Sequence, residues 1–202
     1  MTAIRHPAHD GPLKRGRQAS RPDDEIAVRA IAAHEAALFA RLFARLLDET
    51  LVVFPAQALE QTLSKMNTDH LQAISQDHTW AMLGAFAGHG EPLGLCFGAP
   101  AEAGVGTVIW LLVDPGYQRR GIGRNLLAAA SAHYEARGCH KIKLTAPTAA
   151  ARDYYVHIGM QLEGFHPRHW WGVDFWSLGL NLSSGTPDSG GSRNFNGDGT
   201  RG

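Results

Sequence analysis

A chain of 202 residues fits one catalytic domain with tails and leaves no room for two. The 19 basic residues balance 19 acidic ones with the 11 His neutral, so a polyanion-binding role lacks its simplest electrostatic support and nucleic acid is not expected as a partner. A 44% hydrophobic share with 19% charged residues is globular, and no run approaches the roughly 18 apolar residues of a membrane-spanning helix, so no membrane association is expected.

Residues 1–24 carry Arg5, Lys14, Arg15, Arg17 and Arg21 without apolar periodicity and read as a disordered basic arm; Pro7, Gly11 and Pro12 oppose the amphipathic helix of a transit peptide. Glu25–Ile31 alternates Ile26, Val28 and Ala30 as a strand, and His34–Glu49 places Leu38, Phe39, Leu42, Leu46 and Leu47 at helical spacing. A second helical stretch covers 56–76, where Asn67, Thr68 and Asp69 offer a new cap that can split it. Strands at 78–87, 93–98 and 106–113, joined by short turns, predict an antiparallel meander. A helix opens at Gly121 and ends near Gly138; a strand at Lys141–Ala146, a helix over Ala149–Ile158 and strands at Met160–Phe165 and Val173–Leu182 follow. The class is mixed α/β (α+β), with a mostly antiparallel sheet of 6–7 strands and about four helices over 25–182. Residues 183–202, with six Gly and four Ser, read as a disordered tail. Cys96 and Cys139 are too few for a disulfide framework or a thiolate zinc site, and the N-terminus lacks the apolar core of a signal peptide, so a cytoplasmic location is expected.

The segment Val113-Asp114-Pro115-Gly116-Tyr117-Gln118-Arg119-Arg120-Gly121-Ile122-Gly123-Arg124 leaves a strand and opens a helix. At a helix start the first N–H groups have no intrahelical acceptor and point outward with the positive end of the dipole, which favours an anion such as a pyrophosphate. Arg119, Arg120 and Arg124 add positive charge, and the Gln118 amide can donate to a phosphate or fix the turn. Two other phosphate loops are excluded. Gly116 and Gly121 have Walker A spacing, but Ile122-Gly123 replaces the required Lys and Ser or Thr. Gly121 and Gly123 begin a dinucleotide fingerprint, but Leu126 replaces its third glycine and the preceding strand belongs to a meander. On spacing alone, an ordinary strand-to-helix turn with solvated arginines stays open beside a phosphate site.

The run Gln118-Arg119-Arg120-Gly121-Ile122-Gly123 resembles the Gln/Arg-x-x-Gly-x-Gly/Ala signature of the GCN5-related N-acetyltransferase (GNAT) family. Leu111-Leu112-Val113-Asp114-Pro115 looks like the family's strand entering that loop, and Ala151–Met160 looks like its later helix. The resemblance implies acetyl-CoA as donor, or a related acyl-CoA, lying between splayed strands. It implies that backbone amides of Arg119, Arg120, Gly121, Ile122, Gly123 and Arg124 hold the pyrophosphate, that Leu111, Leu112 and Val113 pair with the pantetheine arm, and that Tyr155 protonates the departing thiolate. Tyr154 points about 100° away around the helix and reads as the bland one of the pair. Thr148 stands where many members carry an asparagine near the pantetheine.

Members often place a Glu on a central strand to accept the acceptor's proton, usually through water, but 106–113 has no carboxylate. His157, Glu163, His169 and Asp174 are the candidates nearest in sequence, and the acceptor can also arrive neutral. His166 and His169 lack the partners of a metal site, and no metal is expected. Trp110, Trp170 and Trp171 are candidates for lining an acceptor pocket with an apolar or aromatic body, against plain core packing or a protein interface. The expected activity is direct acetyl transfer to an amine of a small molecule, peptide or protein. A longer acyl donor, or a non-catalytic acyl-CoA-binding module, is the alternative. Exposed last-strand edges make a homodimer possible.

Overall fold

The computed structural model describes residues 26–50 and 52–182 of the protein. The basic arm expected at 1–24 and the tail expected at 183–202 lie outside the described residues. In chain order the elements are β1 (Ile26–Ala30), α1 (Ala36–Thr50), α2 (Ala56–Lys65), α3 (Thr68–Gln76), β2 (Ala81–Ala87), β3 (Pro92–Glu102), β4 (Val105–Val113), α4 (Ile122–Glu135), β5 (Lys141–Ala146), α5 (Ala149–His157), β6 (Gln161–His166) and β7 (Phe175–Asn181). The seven strands form one sheet in the order β1-β2-β3-β4-β5-β7-β6, antiparallel throughout except between β4 and β5. The α/β class with a mostly antiparallel sheet is the expected one. Five α-helices stand where about four are predicted, because Asn67 does split the second helical stretch: its side chain accepts the His70 N–H at 3.0 Å and starts α3. β3 runs four residues past its predicted end at Gly98, since a tight turn at Ala103 (φ +50) and Gly104 (φ +76) lets the hairpin pair up to Glu102 and Val105.

Each face of the sheet carries its own core. On one, α4 packs Ile122, Leu126, Leu127, Ala130 and Tyr134 into a cluster that also holds Cys96, Ile142, Leu144 and Tyr155. On the other, α1 buries Phe39, Leu42, Phe43, Leu46 and Leu47 against Leu95, Phe97 and Leu112. The helical spacing of those five residues puts them on one stripe, and each such side chain contributes about 1.5–3 kcal/mol on burial.

Two features of the central strands shape the site. Phe97 pairs with Trp110 and Gly98 with Val108, so Ile109 is an extra residue in β4, a bulge. Before it, Gly106 and Val108 face α4; after it, Leu111 and Val113 pack on the α4 side while Trp110 and Leu112 face α1. The second feature is a short parallel pairing. β4 and β5 pair only through Val105–Thr107 and Lys141–Lys143, after which β4 stays with β3 to Val113 and β5 with β7 to Ala146. A wedge therefore opens between the strands. Tyr134 packs at its closed end, where its hydroxyl donates to the Ala99 carbonyl at 2.6 Å and its ring fills the space a Cβ on Gly106 would need.

Candidate active site

The loop after β4 is held by its own polar groups. The Asp114 carboxylate accepts the Gly116 N–H at 2.8 Å and takes Arg45 of α1 at 2.7 Å, while the Gln118 amide donates to the Val113 carbonyl at 3.2 Å. Gln118 thus fixes the turn. Gly121 caps α4 at φ +80, a left-handed conformation that side chains rarely adopt, and offers no side-chain acceptor. The first turn of α4 accordingly has no side-chain cap for its amides. A Cβ on Gly123 would lie 2.5 Å from the Tyr154 hydroxyl, so that residue has to be small. Arg119 and Arg124 border the cavity here, whereas Arg120 does not, its guanidinium lying over the Tyr117 ring at 5.2 Å. This cradle, with uncapped amides, glycine at the closest approach and two cations, suits a pyrophosphate.

Two cavities, about 810 Å³ and 370 Å³, meet across the wedge. The larger lies over the Gly121 loop and α5, and the smaller opens among β4, β5 and the segment between α1 and α2. Leu111, Val113, Gln118, Ala151 and Tyr155 belong to the walls of both. Tyr155, 9% exposed, sits at that junction, and burial pushes its phenol well above its ordinary pKa, with Cys96 and Tyr154 adding to the rise. Its neighbour Tyr154, with ring centroids 5.3 Å apart, borders only the larger cavity. Thr148 caps α5 by accepting the Ala151 N–H at 3.1 Å, so its hydroxyl proton remains to donate into the smaller cavity.

The smaller cavity is walled by aromatic groups. Trp110, packed edge-on to Phe43 at 5.2 Å, comes from β4, and Trp170 and Trp171, 53% and 44% exposed, stand at the mouth. Trp171 adopts φ +60, a conformation costly for a bulky side chain and typical of functional sites. The three predicted tryptophans are therefore brought together here. Phe54 and Phe175, 5.9 Å apart, and the hydroxyls Thr50 and Thr62 complete the wall and were not predicted. The one sequence signal for Phe54 is a large aromatic next to a proline in a short interhelical link.

None of the four candidate bases borders the smaller cavity. His157 lies on the larger one, Glu163 pairs with Lys141 at 2.6 Å, Asp174 accepts the Arg168 N–H at 2.7 Å, and His169 packs on Trp170 with centroids 4.5 Å apart. Cys96 is fully buried, its thiol pushed up to about 12, and is inert as a nucleophile. No group of three or more His, Cys, Asp or Glu side chains able to hold a metal occurs among the described residues, and no described helix is long and apolar enough to cross a membrane.

Comparison with known proteins adds a family to this geometry. The family described as "Acetyltransferase (GNAT) family" matches residues 42–160. No curated protein matches the chain in sequence. Among solved structures, the PaiA N-acetyltransferase of Thermoplasma acidophilum in complex with coenzyme A is similar at a TM-score of 0.64 and 17% identity, over 76% of this chain and 98% of that one. YncA of Salmonella typhimurium, solved with acetyl-CoA, is similar at 0.62 and 15% identity over 78% and 94% of the two chains. The ribosomal-protein-S18-alanine N-acetyltransferase of Escherichia coli is similar at 0.58 and 16% identity over 81% and 98%. At these identities the structures share a fold with the chain.

Proposed function

The chain belongs to the GNAT acetyltransferase family, and from that premise we propose that it moves acetyl from acetyl-CoA directly to an amine of a small molecule, peptide or protein, with Tyr155 as general acid. The observation that carries this reading is the position of Tyr155, the only phenol common to the walls of a cationic, amide-rich cavity and an aromatic one. In this reading the amides from Arg119 to Arg124 and the Arg119 and Arg124 side chains bind the pyrophosphate. The β4 backbone at Leu111–Val113, which has no strand partner in β5, takes the pantetheine as an added strand. Bound acetyl-CoA supplies the thioester to be attacked. The chain's own work is to anchor the remote nucleotide half, to align the two substrates and to hold a proton on the Tyr155 oxygen at neutral pH. Trp110, Trp170 and Trp171 hold the acceptor, and residues 25–182 form the catalytic domain.

A second reading, an acyl-CoA-binding module without catalysis, is favoured by one observation: among the described residues, no carboxylate or imidazole borders the smaller cavity. Calorimetric titration with acetyl-CoA tests the donor site shared by both readings. Micromolar binding is expected, lost in Gly121→Glu and Gly123→Glu and weakened in Arg124→Ala, with circular dichroism showing all variants folded. Absence of binding by the folded wild-type protein would overturn the proposal. CoA release with an amine then separates the enzyme from the module.

A further inference from the structure

We propose that the acceptor is an aromatic amine, a flat apolar molecule whose nitrogen is uncharged at neutral pH, and that Tyr155 is the only protein group handling its proton. The inference rests on the acetyl-CoA reading above and follows from what the smaller cavity contains. Among the described residues on its wall, Tyr155 is the sole ionisable side chain. The remaining polar groups are the Gln118 amide, the hydroxyls of Thr50, Thr62, Thr145 and Thr148, and the indole N–H donors of the three tryptophans, none of them ionisable in the neutral range. Five aromatic side chains, Phe54, Trp110, Trp170, Trp171 and Phe175, share the wall with aliphatic ones.

That composition selects against a charged acceptor in two ways. An ammonium entering this volume would lose its hydration with no carboxylate to replace it. It would also meet no base to remove its proton: an aliphatic amine of ordinary pKa near 10.4 is neutral in only about one molecule in 2,500 at pH 7. An aromatic amine, whose conjugate acid is far stronger, arrives with its lone pair free. Its ring suits the faces of Trp170 and Trp171 at the mouth and the Phe54–Phe175 pair, whose rings stand 61° apart.

The proton inventory then closes with one group. The C–N bond forms as the C–S bond breaks, the Tyr155 phenol gives its proton to the departing sulfur, and the proton shed by the acylated nitrogen restores the phenol. The products are an N-aryl acetamide and CoA thiol, and no external base or oxidant is needed. Thr148, whose hydroxyl proton is not taken up by its capping bond, can donate to the amide oxygen as it forms.

The test measures CoA release with 4-methylaniline and with 2-phenylethylamine, two ring-bearing amines of similar size that differ in charge at pH 7. His157, Arg119 and Arg124 face the donor cavity, and Tyr154 and Cys96 lie against Tyr155, so the pH series is run at saturating acetyl-CoA, with its affinity measured in parallel. The expected result is kcat/KM at pH 7 at least about 100-fold higher for 4-methylaniline, with a rate flat from about pH 6 to 9, against a rise approaching tenfold per pH unit for 2-phenylethylamine. Trp170→Ala, at an exposed position that tolerates truncation, should raise the KM for 4-methylaniline about fivefold or more and leave acetyl-CoA affinity unchanged. Equal or better use of 2-phenylethylamine at pH 7, or no release from 4-methylaniline by protein that binds acetyl-CoA, overturns the acceptor proposal. Failure to bind acetyl-CoA instead overturns the donor reading beneath it.

Discussion

In the proposed reading Tyr155 is the general acid, a role a phenol fills only while it keeps its proton, and its surroundings favour the protonated form. Burial and the neighbouring Cys96 and Tyr154 raise its pKa above the ordinary value near 10, so the protonated form dominates across the neutral and mildly alkaline range. Tyr155→Phe removes the proton and little volume. It is expected to lower kcat about 100-fold or more while the Kd for acetyl-CoA stays within about twofold, as calorimetry beside steady-state kinetics would reveal. A role in packing alone would instead lower the melting temperature and leave kcat intact. The two loop glycines fail for different reasons. A Cβ on Gly121 meets nothing within 4 Å, so Gly121→Ala carries only the backbone cost of φ +80, about 1–2 kcal/mol, readable by urea unfolding. Gly123→Ala must displace the Tyr154 hydroxyl, so it should disturb donor binding beyond any loss of stability. In the sequence the glycines were legible from their place at a helix start, and Tyr155 was singled out only through the family resemblance, as the tyrosine four residues before Gly159. The closeness of Tyr154 to Gly123 was not legible, because it joins α5 to α4 across about 30 residues of chain that no local pattern encodes.

Helix α1 is anchored at its start by a charge the sequence gives little hint of. The Glu35 carboxylate accepts the Ala32 N–H at 2.9 Å and both Arg29 guanidinium nitrogens at 2.7 and 2.8 Å, and the Arg29 guanidinium lies over Phe86 at 3.7 Å. Ala32 has no side-chain acceptor to return the capping bond, so Glu35 supplies the side-chain tie between the entry of α1 and β1. The Arg29 hydrogen bond, followed by the Ala32 N–H, holds the Glu35 carboxyl down at about 2. A carboxylate with a depressed folded-state pKa stabilises the fold above its ordinary pKa near 4.5, and that contribution disappears as pH falls toward 2. Glu35→Gln should therefore cost about 1 kcal/mol at pH 7, the usual value of a helix cap, and lose less stability than wild type between about pH 4.5 and 2. Denaturant midpoints at pH 7, 4 and 3 would show the two curves converging; parallel curves would refute the role. At this scale the sequence was readable where one residue decides an end, as Asn67 does for α3 and Gly121 for α4. It was silent on the Ile109 bulge and on where β4 leaves β5, since both depend on which residues face each other across strands.

The molecule as a whole is two sheet segments joined at one end. Strands β1 to β4 form one and β5, β7 and β6 the other, and only three residue pairs of β4 and β5 connect them within the sheet. Helix α4 reinforces the join by packing on both, through contacts with β2, β3, β4 and β5, and Tyr134 pins its C-terminal half to β3. Beyond Thr107 the facing backbone edges of β4 and β5 have no strand partner in each other, so a ligand in the open wedge can add the cross-strand hydrogen bonds the sheet lacks there. Acetyl-CoA seated there would pair with the β4 edge and touch α4 and α5 together, linking both segments. Linkage fixes the size of the effect. Acetyl-CoA at 100 times its Kd should stabilise the protein by about 2.7 kcal/mol, which raises the melting temperature of a domain this size by about 5–10 °C. The gain should also be localised. In hydrogen exchange, amides of Leu111 and Val113 and of the first turn of α4 should slow on addition of acetyl-CoA, while β1 and β2, remote from the wedge, change only as far as global stability carries them. A shift spread evenly over all strands would mean that the donor binds elsewhere, even if the melting temperature rose as expected.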